Sequence, residues 1–386
     1  MGSNVATNTF LFTSESDGEG HPDKICDLIS DAIVDACVKQ DPMSKLAVET
    51  AIKPGEVYLF GVIVTHASID YEAVVRRTLQ DIGYDSPDQP IQHDTARVFN
   101  NIEVHVSAAK SDEGLKDMYG NIGAGDQGLV FGYATDETES FPPLTAELAH
   151  KLVRTLKEAR GCGMPWMRPD TKAQVTVEYE QDGGQVLPLR VHTVVVSVAH
   201  GPGVDLDALR SEIRDKIIPQ AIPARFLDKH TILLIQPSGG DGVQPSGKFV
   251  GLTGRKVVVD TYGGWGAHGG GAFSGKNFRQ VDRSAAYCAR WAAKSLVAAG
   301  LARRCLVQIS YAIGQPRPVS VYVDSYGTGT VGPDRLAQLV MANFDMRPWA
   351  IAVQLGLTRP GYYETARNGH FTDQAFLWES PKELVL

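Results

Sequence analysis

Apolar residues recur along the chain with two periods, one typical of amphipathic helices and one typical of strands. After Pro22, apolar residues at spacings of three and four predict a helix with one buried face, which ends at Pro42. The other predicted helices are residues 69–82, 144–160 and 206–218, a helix from Asp282 as N-cap to just before Gly300, and residues 333–344. Alternating or β-branched runs predict strands at residues 9–13, 46–52, 56–66, 96–109, 129–133, 173–179, 189–198, 231–236, 257–259, 305–313 and 319–326.

Helices and strands alternate in three similar rounds, and short turns join most of the strand pairs. Lys53-Pro54-Gly55 and Asp182-Gly183-Gly184 are two such turns. This order predicts an α+β fold with mixed or antiparallel sheets that helices cover on one face. We divide the chain into an N-terminal domain at 9–110, a central domain at 122–238 and a C-terminal domain at 239–386. The polar segment 110–121 is predicted to be a lid.

The stretch from residue 251 to residue 276 carries the strongest chemical signal. Arg255 and Lys256 precede the β-branched run, seven glycines fall between residues 263 and 275, and Lys276 follows them. So many glycines suit a loop whose backbone amides approach a phosphate chain, rather than a packed helix or strand. A glycine-rich surface hinge is the alternative, and the three cations argue against it.

Part of this stretch comes close to a phosphate-binding P-loop. Gly270 and Gly275-Lys276 have the P-loop spacing, but Asn277 stands where Ser or Thr would hold Mg²⁺. The predicted helix also begins about a turn late for that motif. A P-loop nucleoside triphosphatase is therefore the less favoured interpretation.

Polar residues cluster at the predicted start of the first helix, where Pro22 suits the first helical position. They are His21, Asp23 and Lys24, and a helix N-terminus is a natural place for an anion and its metal ion. Ordinary capping by Asp23 beside a solvated Lys24 explains the same residues equally well.

Composition restricts the class of protein and its partners. The 386 residues carry a formal net charge of −8 and 43% hydrophobic residues, as expected for a soluble globular protein of two or three domains. The negative charge disfavours a nucleic-acid partner, and no apolar run reaches membrane-spanning length. The five cysteines form no C-x-x-C pair, which favours a reducing, cytoplasmic location. We expect Cys26, Cys37 and Cys288 in the core.

Several short segments between residues near 10 and near 380 form a highly specific set. They are Phe12-Thr13-Ser14-Glu15-Ser16, Gly20-His21-Pro22-Asp23-Lys24, residues 123–128, Arg168-Pro169-Asp170, Gly254-Arg255-Lys256, residues 269–276 and Asp282-Arg283-Ser284-Ala285-Ala286. With these segments the chain resembles the S-adenosylmethionine synthetase (methionine adenosyltransferase) family. The resemblance implies three α+β domains with pseudo-threefold symmetry. It also implies a homodimer, or a tetramer of paired dimers, with active sites between subunits.

The same resemblance implies a reaction. A nucleophile attacks the 5′ carbon of ATP and expels the triphosphate, which is then hydrolysed, so cations and a metal matter more than a general base. By matching position, the triphosphate would be contacted by His21, Lys172, Arg255, Lys256 and Lys276, and the nucleotide would lie near Asp126, Asp170 and Ala272. Asp23 and Asp282 would hold Mg²⁺, and Glu49 would lie at a K⁺ site.

The sequence departs from the family where the resemblance implies methionine contacts. Val62 stands in place of an acid that meets the ammonium group, and Phe249 replaces a second acid by loop length. His105 lies where the family's gating loop has a different sequence, and Gln280 replaces a lysine that meets the carboxylate. A buried ammonium or carboxylate group needs a charged or well-bonded partner, and losing an ion partner costs about 3–5 kcal/mol.

These replacements favour an acceptor other than methionine, with ATP handling intact. The alternative is that Glu103, His105, Asp241 or Phe249 supply the missing contacts through shifted loops. A further alternative class is a triphosphatase or ATP-binding regulatory paralogue without transfer activity. Triphosphate hydrolysis without any adenosylated product would support that class.

Overall fold

A computed structural model describes residues 8–106, 122–239 and 248–386. The predicted lid at 110–121 and Asp241 lie outside the described residues. The strands are β1 (Thr9–Asp17), β2 (Lys45–Lys53), β3 (Glu56–Val64), β4 (Arg97–His105), β5 (Gly128–Thr135), β6 (Met167–Asp182), β7 (Gln185–His200), β8 (Ile232–Ile235), β9 (Gly251–Leu252), β10 (Arg304–Tyr311) and β11 (Ser320–Asp324). The α-helices are α1 (Pro22–Gln40), α2 (Tyr71–Ile82), α3 (Leu144–Cys162), α4 (Leu206–Glu212), α5 (Ile218–Ala221), α6 (Val257–Asp260), α7 (Val281–Ala298), α8 (Pro333–Asn343), α9 (Pro348–Gln354) and α10 (Tyr362–Thr365).

The strands form three sheets, and each sheet has one long helix against it. The strand orders are β4-β3-β2-β9, β1-β6-β7-β8 and β11-β10-β5. The β3–β4 and β7–β8 pairs are parallel and the other pairs are antiparallel. Helix α1 contacts β2, α3 contacts β1 and β6, and α7 contacts β5 and β10. The predicted α+β fold with three similar units and mixed sheets is confirmed.

Each sheet takes strands from distant parts of the sequence. Strand β1 pairs with β6, β9 pairs with β2, and β5 pairs with β10. Single sheets therefore contain strands from both sides of the predicted boundaries near residues 110 and 238. The division into three contiguous domains remains a prediction.

Helix α7 is buried on nearly all sides, and its cations are all paired. Arg283 bonds Asp31, while Arg290 and Lys294 share the Glu379 carboxylate. Since isolated charges are very costly in a protein interior, this pairing is what permits a helix of such polarity to lie in the core. The expected burial of Cys26, Cys37 and Cys288 is confirmed. Among the described residues, no helix is long and apolar enough to cross a membrane.

Two local predictions were wrong. The β-branched run after Lys256 forms the single helical turn α6, not a strand. It is closed by the Asp260 amide, which donates to the Lys256 carbonyl, and by the Thr261 hydroxyl, which donates to the Val257 carbonyl. Asp282 is not the N-cap of α7: the helix begins at Val281, and the Asp282 carboxylate instead accepts from the Lys276 ammonium.

One face of the β4-β3-β2-β9 sheet lies opposite its helices. Along β3, Leu59 and Ile63 point into the core, while Phe60 and Val62 alternate to the other side and are exposed. Phe99 on β4 and Leu252 on β9 are also exposed, and their register places them on the same side as Phe60 and Val62. We call the side that carries Phe60, Val62, Phe99 and Leu252 the open face.

Candidate functional site

The first turn of α1 presents its polar residues in two directions. His21 is the N-cap, and its Nδ1 accepts from the Asp23 backbone amide at 3.1 Å, while Pro22 occupies the first turn as predicted. Lys24 is not solvated: its ammonium is fully buried and bonds Asp260 at 2.7 Å and Asp27 at 3.1 Å. Lys24 therefore ties α1 to α6, and only His21 and Asp23 remain at the helix start.

Asp23 collects two of the predicted phosphate-binding cations. Its Oδ2 lies 2.6 Å from Lys256 Nζ, its Oδ1 accepts from the Leu252 amide at 3.0 Å, and Arg255 Nε is 3.7 Å away. Burial alone would raise the pKa of Asp23, but its hydrogen bond and attraction to Lys256 outweigh burial and lower it. Asp23 is thus an ionised carboxylate held among positive groups.

The β1–β6 pair adds another cation to the same place. Lys172 lies opposite Asp17 in the antiparallel register, and its Nζ is 3.0 Å from Glu15 and 3.7 Å from Asp17. Burial lowers the pKa of Lys172, but the Asp17 and Glu15 carboxylates raise it overall. Asp170 is buried in β6 two residues before Lys172. We call His21, Asp23, Lys172, Arg255 and Lys256 the helix-start cluster.

The imidazole of His21 lies within this cluster in its neutral form. Burial is the main cause that lowers the pKa of His21 to about 3, and the nearby Lys256 ammonium adds to the effect. Because Nδ1 accepts the Asp23 amide, the single proton of the neutral ring is on Nε2. His21 can therefore donate one hydrogen bond to a bound oxygen without carrying a charge.

The glycine-rich loop brings a second group of predicted residues together. Lys276 Nζ lies 2.8 Å from Asp282 Oδ2, and Gly271 passes so close that a Cβ there would come within 2.3 Å of the Asp282 Cγ. A Cβ at Gly125, the neighbour of Asp126, would lie 3.8 Å from Gln280 Oε1. We call Asp126, Lys276, Gln280 and Asp282 the loop cluster.

The two clusters adjoin where the Ala272 methyl packs against Gly254. A Cβ added at Gly254, next to Arg255, would meet the Ala272 methyl at 2.6 Å. Among the described residues, no ion pair or hydrogen bond joins a side chain of the helix-start cluster to one of the loop cluster. The predicted ATP-binding residues of one chain are therefore divided into two neighbouring groups.

The glycine loop does not have the surroundings of a P-loop. It follows the helical turn α6 instead of a strand, and α7 begins only at Val281, four residues beyond Asn277. The Asn277 side chain is buried and donates to the Ser44 carbonyl at 2.6 Å, so it faces the interior. These features argue against the P-loop interpretation.

The predicted acceptor residues lie in three different environments. Val62 and His105 are exposed on β3 and β4, and Gln280 is the N-cap of α7 without a side-chain capping bond. Phe249 is buried, with its ring 5.8 Å from that of Tyr84. Glu103 is the register partner of Val62, so its exposed side chain stands on the same side of the sheet. The acceptor pocket itself remains a prediction.

The predicted metal-binding carboxylates are suitable ligands for hard cations, but few of them lie close together in a single chain. Asp23, Asp282 and Glu49 are oxygen donors of the kind Mg²⁺ and K⁺ accept. Burial raises the pKa of Glu49, against the nearby Lys276 ammonium. Within the described parts of the chain, no group of three or more His, Cys, Asp or Glu side chains has the arrangement of a metal site. Mg²⁺ commonly takes only one or two carboxylates and completes its shell with phosphates and water, so the donor set fits Mg²⁺ that arrives with a triphosphate.

Sequence reasoning missed Asp17 and gave Glu15 no role. Glu15 lies in a segment that carried the family resemblance, which was a signal available in the sequence. Asp17 lies between two of those segments but belongs to neither, and its proximity to Lys172 follows only from the pairing of β1 with β6.

Three family models match the chain in sequence order. The N-terminal domain of S-adenosylmethionine synthetase matches residues 9–107, the central domain matches residues 121–240, and the C-terminal domain matches residues 244–380. Together they cover nearly the whole chain, including both clusters.

Proposed function

Because the chain belongs to the S-adenosylmethionine synthetase family, we propose that it transfers the adenosyl group of ATP to a small nucleophile. The observation that carries the proposal is the helix-start cluster, in which His21, Lys172, Arg255 and Lys256 surround one helix N-terminus. Such a concentration of donors and cations is suited to a polyanion.

The reaction begins when the nucleophile forms a bond to C5′ and the C5′–O bond breaks. The bonding electron pair leaves with the triphosphate, which water then cleaves to pyrophosphate and phosphate. Arg255, Lys256, Lys172 and Lys276 stabilise the negative charge of the leaving group, and His21 Nε2–H donates to an oxygen of the triphosphate. Lys256, Lys172 and Lys276 are already held by Asp23, Glu15 and Asp282 in place of solvent, so little reorganisation precedes the reaction.

Two metal ions belong to the proposal. Asp23 and Asp282 would hold Mg²⁺, which neutralises phosphate charge, and Glu49 would contribute to a K⁺ site. Lys256 contacts Asp23 and Lys276 contacts Asp282. Each of these aspartates would therefore hold its metal ion beside a cation proposed to bind the triphosphate.

A homodimer is the assembly we propose, with a tetramer of two dimers as a larger form. The helix-start cluster and the loop cluster of one chain share no side-chain bond among the described residues, which supports a site completed by a second copy. The open face supplies a surface for that copy, since Phe60, Val62, Phe99 and Leu252 expose apolar side chains on a sheet.

The acceptor we propose is not methionine. Gln280 carries no charge for a carboxylate, Val62 carries none for an ammonium group, and Phe249 is a core residue. A second candidate, methionine itself, is favoured by Glu103, whose carboxylate lies beside Val62 on the neighbouring strand. In that case the ammonium partner has moved from β3 to β4.

Incubation of the purified protein with ATP, Mg²⁺, K⁺ and methionine tests both candidates. We expect this mixture to form no S-adenosylmethionine, because the proposed acceptor is a different nucleophile. Formation of S-adenosylmethionine at a family-typical rate, followed by mass spectrometry, would refute the altered acceptor. If methionine is used, Glu103→Gln should raise its KM, while Glu139→Gln, an exposed acid in the loop before α3, should not. Formation of ADP, or triphosphate hydrolysis without an adenosylated product, would refute adenosyl transfer.

A further inference from the structure

Asp17 is a buried carboxylate that no part of the proposed reaction uses. It is the last residue of β1, its side chain is fully buried, and neither of its oxygens has a hydrogen-bond partner among the described residues. Buried polar atoms in proteins are nearly always bonded, so an unbonded carboxylate beside a candidate site requires an explanation.

Two donors stand just beyond hydrogen-bond distance of this carboxylate. His21 Nε2 is 3.6 Å from Asp17 Oδ1, and Lys172 Nζ is 3.7 Å from the same oxygen. His21 lies at the start of α1 and Lys172 lies in β6. Donors from two different elements therefore approach the same oxygen of Asp17. Each donor is also a residue proposed to contact the triphosphate.

The hydrogen bond on the far side of the imidazole fixes the role of Nε2. The Asp23 amide donates to Nδ1, which leaves the ring proton on Nε2, the atom that faces Asp17. An acceptor opposite Nε2–H selects one of the two ring orientations, because a flipped ring would lose both interactions.

We propose that Asp17 is a positioning residue: before ATP binds it holds the His21 Nε2–H and the Lys172 ammonium beside the phosphate site, and both donors pass to the triphosphate when it arrives. The role rests on the proposed adenosyl transfer. Asp17 does not contact the reacting atoms: it restrains two groups that do. A misplacement of such groups by about 1 Å can reduce the rate roughly 100-fold.

Two substitutions separate this role from a merely structural one. Asp17→Asn keeps an oxygen acceptor of the same shape, whereas Asp17→Val fills the space and provides no acceptor. Because Lys172 keeps its ion pair with Glu15 and the His21 ring is neutral, Asp17→Val leaves no buried charge without a partner and is expected to fold. Thr13→Val, also on β1 and with an exposed side chain, is the control.

The first measurement is an NMR spectrum of protein labelled with ¹⁵N-histidine, without ATP or any phosphate ligand, and with His21→Gln to assign the signal. We expect the Nε2–H proton of His21 to be visible in the parent protein, in Asp17→Asn and in Thr13→Val. In Asp17→Val it should be lost to exchange with water. An unchanged Nε2–H signal in Asp17→Val would overturn the proposal.

The second measurement is the rate of triphosphate release from ATP. We expect Asp17→Asn to stay within about threefold of the parent kcat and Asp17→Val to lose about 100-fold, with a smaller change in KM. Equal losses in Asp17→Asn and Asp17→Val would overturn the proposal. A parent protein that shows the protected Nε2–H but no adenosyl transfer would refute the proposed function alone and leave the Asp17 assignment in place.

Discussion

The buried pair of Arg283 and Asp31 gives the most direct prediction of stability. The Arg283 guanidinium bonds both oxygens of Asp31, at 2.7 and 2.8 Å, and donates to the carbonyls of Phe273 and Lys276. Asp31 also accepts from the Gly275 amide at 2.9 Å. One ion pair thus fixes the end of the glycine loop between α1 and α7, and Arg283→Met should destabilise the protein and displace Lys276.

The size of the effect follows from the burial of both partners, which are completely inaccessible to solvent. Removal of one member of such a pair leaves an uncompensated charge and costs about 3–5 kcal/mol. At about 2.1 cal/mol/K per residue, the unfolding entropy of the 386-residue chain is about 0.8 kcal/mol/K. The melting temperature of Arg283→Met should therefore fall by about 4–6 °C if the chain unfolds as one unit.

Thermal unfolding monitored by circular dichroism measures this difference. The control is Arg303→Met, which breaks the pair with Asp136 at 2.6 Å where both side chains are partly exposed, and it should change the melting temperature by about 1 °C or less. Adding Asp31→Asn to Arg283→Met should recover part of the loss, because the unpaired charge is gone and the Gly275 amide keeps an acceptor. Equal melting temperatures for Arg283→Met and Arg303→Met would refute the reasoning.

Three further predictions concern pH, catalysis and assembly. Burial raises the pKa of Glu137 to about 7, above its unfolded value, so the protein should lose about 3 kcal/mol of stability from this group as pH rises from about 4 to 7. Glu137→Gln should be more stable than the parent at pH 8, and a melting-temperature difference that does not close below pH 5 would contradict this. Lys276→Ala should slow triphosphate release about 100-fold or more in a phosphate assay, whereas the exposed Lys39→Ala should not; equal rates would contradict its role. Phe60→Glu on the open face should give a monomer by light scattering and Val385→Glu should not, and an intact dimer of Phe60→Glu would exclude this face from the interface.

The sequence was sufficient for most elements because their periodicity agrees with their burial. Helix α1 begins at Pro22 and ends before Pro42 as predicted, and Gly300 follows α7 with a positive φ of 71°. The run at Val257 failed because β-branching indicates a strand only when a neighbouring strand is available. Here Val259 is buried in a turn, and Asp260 is engaged by Lys24 and by the His370 amide.

The candidate site was predictable as a set of residues but not as an arrangement. The motifs identified His21, Asp23, Arg255 and Lys256, which do lie together. They could not indicate which cation pairs with which acid, since the partners come from strands and loops far apart in sequence. Asp17 is the clearest case, because only the β1–β6 register places it opposite Lys172.

The exchange of strands between segments has a consequence for cleavage of the chain. Because β1 is hydrogen-bonded to β6, β9 to β2 and β5 to β10, a protease cut in a connecting segment severs the peptide but not these ladders. The pieces of a nicked molecule would stay joined and migrate as one species until a denaturant separates them. Expressed separately, each piece would present an unfilled sheet edge and would need its counterpart during synthesis in order to fold.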